Sequence, residues 1–63
     1  MGLKQMQYRY AKFLNNGDQV IRSCDGIPFI VKDTEVFGQY KKVKINCVDE
    51  NGVYETLFND EVE

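Results

Sequence analysis

Residues 3–14, Leu-Lys-Gln-Met-Gln-Tyr-Arg-Tyr-Ala-Lys-Phe-Leu, decide the fold, because they can be wound or pleated while nearly everything after them reads as strand. Wound at about 100° per residue, Leu3, Met6, Tyr10, Phe13 and Leu14 share one arc, and Lys4, Gln5, Arg9 and Lys12 fall opposite. Pleating the same residues forces Lys12 among Met6, Tyr8, Tyr10 and Leu14 and puts Phe13 beside Arg9. The helix separates polar from apolar better. Leu, Lys, Gln, Met, Arg and Ala also favour it, and Asn15-Asn16-Gly17 supplies a left-handed stop. The spacing predicts a helix over 3–15.

After Gly17 the period changes. Two stretches of strand period, 19–24 and 27–32, flank Asp25-Gly26, a dipeptide suited to a two-residue hairpin turn whose central positions both need positive φ. That turn would set Arg22 opposite Phe29 and Val20 opposite Val31 on the core side, and Ile21 opposite Ile30 on the other. Pro28 cannot donate to a ladder, which suits an edge or an interruption. Residues 33–39 show no clear period and read as a loop anchored by Val36 and Phe37. Strands over 40–48 and 53–58 then bracket Asp49-Glu50-Asn51-Gly52, read as a four-residue hairpin loop. Its register points Val43, Ile45, Cys47, Tyr54 and Phe58 inward. The acidic end, Asn59 to Glu63, has Val62 alone to bury and is expected to fray.

The expected architecture is therefore α+β, a single domain over 1–63 with an N-terminal helix on a four-stranded antiparallel sheet made of two hairpins. Leu3, Met6, Tyr10, Phe13, Leu14, Val20, Ile27, Phe29, Val31, Val43, Ile45, Tyr54 and Phe58 would form its core. The alternative pleats the N-terminal segment into a fifth strand and gives a small five-stranded β-barrel.

Composition narrows the function classes. A chain of 63 residues buries only about 60% of the surface its unfolded form exposes, so stability is thin. With 43% hydrophobic and 29% charged residues it has the make-up of a soluble folded domain. The longest apolar run, Phe29-Ile30-Val31, is far shorter than the roughly 18 residues a membrane span requires, and no signal region opens the chain. A cytoplasmic protein with no membrane partner is expected. The absence of histidine removes the commonest general base and metal ligand, and the glycine spacings fit no nucleotide loop. Ser23, Thr34 and Thr56 have no evident base. An enzyme is not expected, nor any cofactor or metal. Cys24 and Cys47 lie too far apart for a redox pair or zinc knuckle and read as reduced thiols.

Charge is divided along the chain. Residues 1–44 carry all eight Lys and Arg against four acids, whereas residues 45–63 carry six acids and no base. Two binding surfaces follow. The first joins an outward aliphatic pair, Ile21 and Ile30, to an acidic edge of Asp49, Glu50, Glu55, Asp60 and Glu61. It suits a protein partner or a homo-oligomer. Short chains of this kind are often phage- or mobile-element-encoded inhibitors or regulators, so a non-catalytic protein-interaction module is the leading expectation. The alternative gathers Tyr8, Arg9, Lys12, Tyr40, Lys42 and Lys44, aromatic rings interleaved with cations, for single-stranded nucleic acid or a small nucleotide.

Overall fold

The computed structural model describes residues 5–63. It contains a short helix α1 (Tyr8–Ala11), strands β1 (Gln19–Ile21), β2 (Pro28–Phe37), β3 (Lys42–Val48) and β4 (Tyr54–Phe58), and a 3₁₀ turn over Asn59–Glu61. The strands form one antiparallel sheet in the order β1-β2-β3-β4. The expected four-stranded sheet is present, and the N-terminal segment is wound, not pleated.

The helix is much shorter than the predicted 3–15, and Leu3 lies outside the described residues. Two i→i−4 bonds, from Ala11 to Gln7 and from Lys12 to Tyr8, are flanked by tighter i→i−3 bonds at Tyr10, Phe13 and Leu14. No side chain caps the N-terminus, and three aromatics in six residues add little propensity. The tighter winding changes which side faces inward. A repeat of three aligns Tyr8, Ala11 and Leu14. Ala11 is fully buried, with Met6, Tyr8 and Leu14 packed against the core. Tyr10 and Phe13, placed in the core by the 3.6-residue repeat, are 60% and 70% exposed. Gly17 caps a separate turn leading into β1, not the helix.

The first hairpin differs from its predicted register by two residues. Gln19, Val20 and Ile21 face Ile30, Phe29 and Pro28. Of the two turn residues only Gly26 has positive φ, at 76°. The Asp25 carboxylate instead accepts the Ile27 amide and pairs with Arg22 at 2.7 Å. Gly26 N–H closes on Arg22 C=O at 2.7 Å, so a four-residue loop over 23–26 replaces the two-residue turn. A slip of two preserves the faces. Val20, Phe29 and Val31 are buried as expected, but Ile27 is exposed and Ile21 no longer faces Ile30.

Residues 33–37, read as loop, continue β2. A bulge between Val31 and Asp33 inserts Lys32 and reverses the alternation, which hid the strand from a period-two reading. Beyond it Thr34 and Val36 face Ile45 and Val43, while Glu35 and Phe37 point outward opposite Lys44 and Lys42. Val36, although on the inner face, is 46% exposed and no anchor. The turn over 38–41 then leads into β3, which begins at Lys42, not Tyr40.

The second hairpin slips by one residue, so β4 reverses its faces. Asp49 N–H donates to Val53 C=O, leaving a three-residue loop. Asp49 Oδ1 accepts the Asn51 and Val53 amides at 2.9 and 3.0 Å, and Gly52 takes φ 80°. This is a type I turn closed by a glycine bulge. Leu57 consequently enters the core opposite Ile45, while Tyr54 and Phe58, expected inside, point out.

The acidic end does not fray. Val62 is fully buried and bridges to Arg22, and Glu63 exchanges backbone hydrogen bonds with Ile21 along the outer edge of β1. The outer edge of β1 is thus covered by the C-terminus, where the barrel alternative assigned that place to the N-terminal segment. Asn59, the buried polar residue, makes this possible. Its Oδ1 accepts Val43 N–H at 2.8 Å, and its Nδ2 donates to Met6 C=O at 3.0 Å. The core comprises Ala11, Val20, Phe29, Val31, Val43, Ile45, Cys47, Leu57 and Val62.

Asn59→Ala leaves the Val43 amide buried without an acceptor and should lower unfolding free energy by about 1–3 kcal/mol. Val62→Asp places a carboxylate in the core and should lower it by more, whereas Glu63→Gln should change it by less than about 0.5 kcal/mol. Urea unfolding followed by circular dichroism measures all three; equal stability of Val62→Asp and the parent chain would contradict the docked terminus.

Candidate functional site

Residues directly opposite one another in adjacent strands share a face of the sheet, so its outer side can be read in rows. They run from Ile30, Val48 and Tyr54, through Asp33, Asn46 and Thr56, then Glu35, Lys44 and Phe58, to Phe37 and Lys42. The second row is a hydrogen-bonded chain. Asn46 Nδ2 donates to Asp33 Oδ1 at 2.6 Å, and Thr56 Oγ1 donates to Asn46 Oδ1 at 3.1 Å. In the third row Lys44 stands 3.8 Å from Glu35.

At the last row the face becomes concave. Phe37, Tyr40, Lys42 and Phe58 line an open cavity of about 400 Å³. Three aromatic walls come from the end of β2, the 38–41 turn and the end of β4. Lys42 forms the fourth wall, its ammonium 6.0 Å from the centre of the Phe58 ring and paired with Asp60. Across the same turn lies Tyr8, with the ammonium groups of Lys12 and Lys41 each 5.4 Å from its ring centre. The Tyr8 hydroxyl lies against Gly38, 3.4 Å from where a Cβ there would stand. Arg9 lies 4.9 Å from the Tyr10 ring, and Lys12 5.5 Å from Phe13.

The residues named for nucleic acid thus gather around one end of the sheet. Tyr8, Arg9 and Lys12 come from the helical segment, Tyr40 from the turn, and Lys42 and Lys44 from β3. Lys42 and Lys44 are held by Asp60 and Glu35, whereas Lys12 and Lys41 have no carboxylate partner among the described residues. Sequence reading missed Lys41, Phe37 and Phe58. Lys41 stands in the same run as Tyr40, Lys42 and Lys44, but only its neighbours were assigned to the surface. Phe37 was hidden by the bulge, and Phe58 by the one-residue slip. The Asp-x-x-Gly spacing of the β3–β4 loop was the available clue to the latter.

The residues named for a protein partner are dispersed. Ile30 is 38% exposed, while Ile21 is half-buried along the closing terminus. Asp49 is engaged by its own loop, and Glu50 is exposed beside it. Glu55 lies 3.8 Å from Arg22, Asp60 pairs with Lys42, and Glu61 Oε1 accepts the Phe58 amide at 2.8 Å. Asp60 sits by the first residue of β3 and Asp49 just past the last, roughly 20 Å away at the usual rise per residue. They do not share an edge.

The same spacing separates the charges. Asp25, Asp49, Glu50 and Glu55 lie at the end remote from Lys41, and salt screens them over a Debye length of about 8–10 Å. The hydrogen bond from Arg22 holds the Asp25 carboxyl below its ordinary range, and the same bond raises Arg22. Among the described residues no group of His, Cys, Asp and Glu could hold a metal ion, and no helix is long and apolar enough to cross a membrane. No family model matches the chain, and no curated protein or solved structure matches it.

The two thiols are free, Cys24 exposed and Cys47 buried. Burial, and secondarily Glu55, pushes the Cys47 thiol up. In native protein at pH 8, maleimide should modify Cys24 promptly and Cys47 at the rate at which the core opens. Mass spectrometry distinguishes this from two thiols reacting at one rate.

Proposed function

We propose that the protein is a non-catalytic module that binds single-stranded nucleic acid at its aromatic end. The observation that carries this reading is the cavity walled by Phe37, Tyr40 and Phe58 with Lys42 in its rim. A nucleobase is planar and apolar on both faces, and aromatic walls bind it by stacking whatever its sequence. Phosphates on either side fall to Lys41, Lys12 and Lys42, whose ammonium groups border the cavity or the neighbouring Tyr8 ring. The chain's net charge of −2 does not oppose this, because its unscreened neighbourhood there is cationic.

A labelled single-stranded oligonucleotide tests the proposal by fluorescence anisotropy. Three phosphate contacts predict a log–log salt slope of about −2. Tyr40→Ala should weaken binding roughly tenfold through lost stacking. Salt-independent binding, or an unchanged affinity in Tyr40→Ala, would remove the site from the account.

A second reading rests on a different observation. Ile30, Val48 and Tyr54 form an apolar row across three strands on the outer face. Such a row suits a protein partner, in keeping with an inhibitor or regulator. Ile30→Asp should then abolish capture of a partner from host extract while leaving oligonucleotide affinity intact.

A further inference from the structure

We propose that β4 is the seat of a weak two-fold dimer in which two copies join edge to edge into one continuous sheet. Among the described residues the backbone leaves this edge open. Asp49 N–H bonds Val53 C=O and Val43 N–H bonds the Asn59 side chain, and both pairs lie on the register that sets Lys44 opposite Phe58. By antiparallel alternation Glu55 and Leu57 turn their peptide groups toward β3, whereas Tyr54, Thr56 and Phe58 turn theirs away. No other strand of the described residues pairs with β4. The Phe58 amide is taken by Glu61, which leaves the groups of Tyr54 and Thr56 as a template for a further strand.

The sequence of β4 is suited to meet itself. An antiparallel pairing centred on Thr56 sets Thr56 opposite Thr56, and Tyr54 opposite Phe58 of the second copy. Tyr54 and Phe58 share the outer face, 70% and 36% exposed in one chain, so both aromatic pairs form on one side and are covered together. On the other side Glu55 meets Leu57. Centring on Glu55 would oppose like charges, so the register is selected. Five residues a side are far fewer than the roughly 20–30 of a standard interface, hence a weak dimer. Tyr54 of the second copy then stands beside Phe58 and lengthens each aromatic wall. The dimer itself does not depend on the ligand reading.

Sedimentation of the full chain over about 10 µM to 1 mM should show mass rising from 7.3 kDa toward twice that value. Hydrogen exchange on the same samples should slow at the Tyr54 and Thr56 amides as concentration rises. Thr56→Pro removes a donor that faces away from β3, and Tyr54→Lys charges the edge; each should hold the mass at that of one chain. Tyr40→Ala should leave association unchanged, which separates failure here from failure of nucleic-acid binding. A monomer at 1 mM, amide protection independent of concentration, or association abolished by Ile30→Asp and not by Tyr54→Lys would overturn the proposal. Should either variant fail to fold, the exchange measurement on the parent chain decides alone.

Discussion

The carboxamide of Asn59 is the constraint on which the rest of the structure depends. It stands where β4 would place its next residue, and its oxygen takes the Val43 amide that a continuing backbone would have taken. The chain can therefore leave the sheet without abandoning a buried donor, since an unsatisfied group costs more than a formed bond gains. Its nitrogen meanwhile fastens Met6, whose own amide bonds the carbonyls of Asn59 and Val62. The segment at Met6 and the C-terminal residues thus meet at one side chain. Val62 reaches the core as a consequence, and the outer edge of β1 is covered. In a domain of 63 residues, with so little interior, these contacts decide whether the molecule closes.

The bulge at Lys32 acts on the opposite face. Before it, Phe29 and Val31 point inward; after it, Thr34 and Val36 do, and Phe37 is delivered to the outside. The slip at Asp49 does the same for Phe58. One bulge and one turn therefore assemble the aromatic walls around Tyr40, and each acts through hydrogen-bond geometry, not through hydrophobicity. Charge is distributed by the same folding. The β3 strand carries lysines at its start and leads to acids at its finish, and its length exceeds the reach of electrostatic interaction at physiological salt. An acidic protein can in this way keep one cationic end.

Much of the sheet was legible. Val43 and Ile45 alternate with Lys42, Lys44 and Asn46, Val20, Phe29 and Val31 fall on one face of their hairpin, and all five are buried where a period of two puts them. The two-residue slip of the first hairpin did no harm, because faces repeat every second residue. The one-residue slip of the second exchanged Tyr54 and Phe58 for Leu57. At the N-terminus, Tyr10 and Phe13 were misplaced because a single turn tightened by 3₁₀ bonds repeats every three residues. The candidate site was half legible: Tyr8, Arg9, Lys12, Tyr40, Lys42 and Lys44 announced themselves as aromatics beside cations. Phe37 and Phe58 did not, since their exposure depends on where each ladder starts.

The sequence by itself determined that strands form near 19–24, 27–32, 40–48 and 53–58, that they pair as antiparallel hairpins, and that part of the opening segment winds, because alternation, turn residues and helix propensity are local properties of the chain. Tertiary structure decided the ladder registers, the burial of Val62 and the joining of Met6 to the C-terminal segment at Asn59. Those depend on which donors and acceptors find partners once distant segments are brought together, and no local pattern of side chains encodes that count.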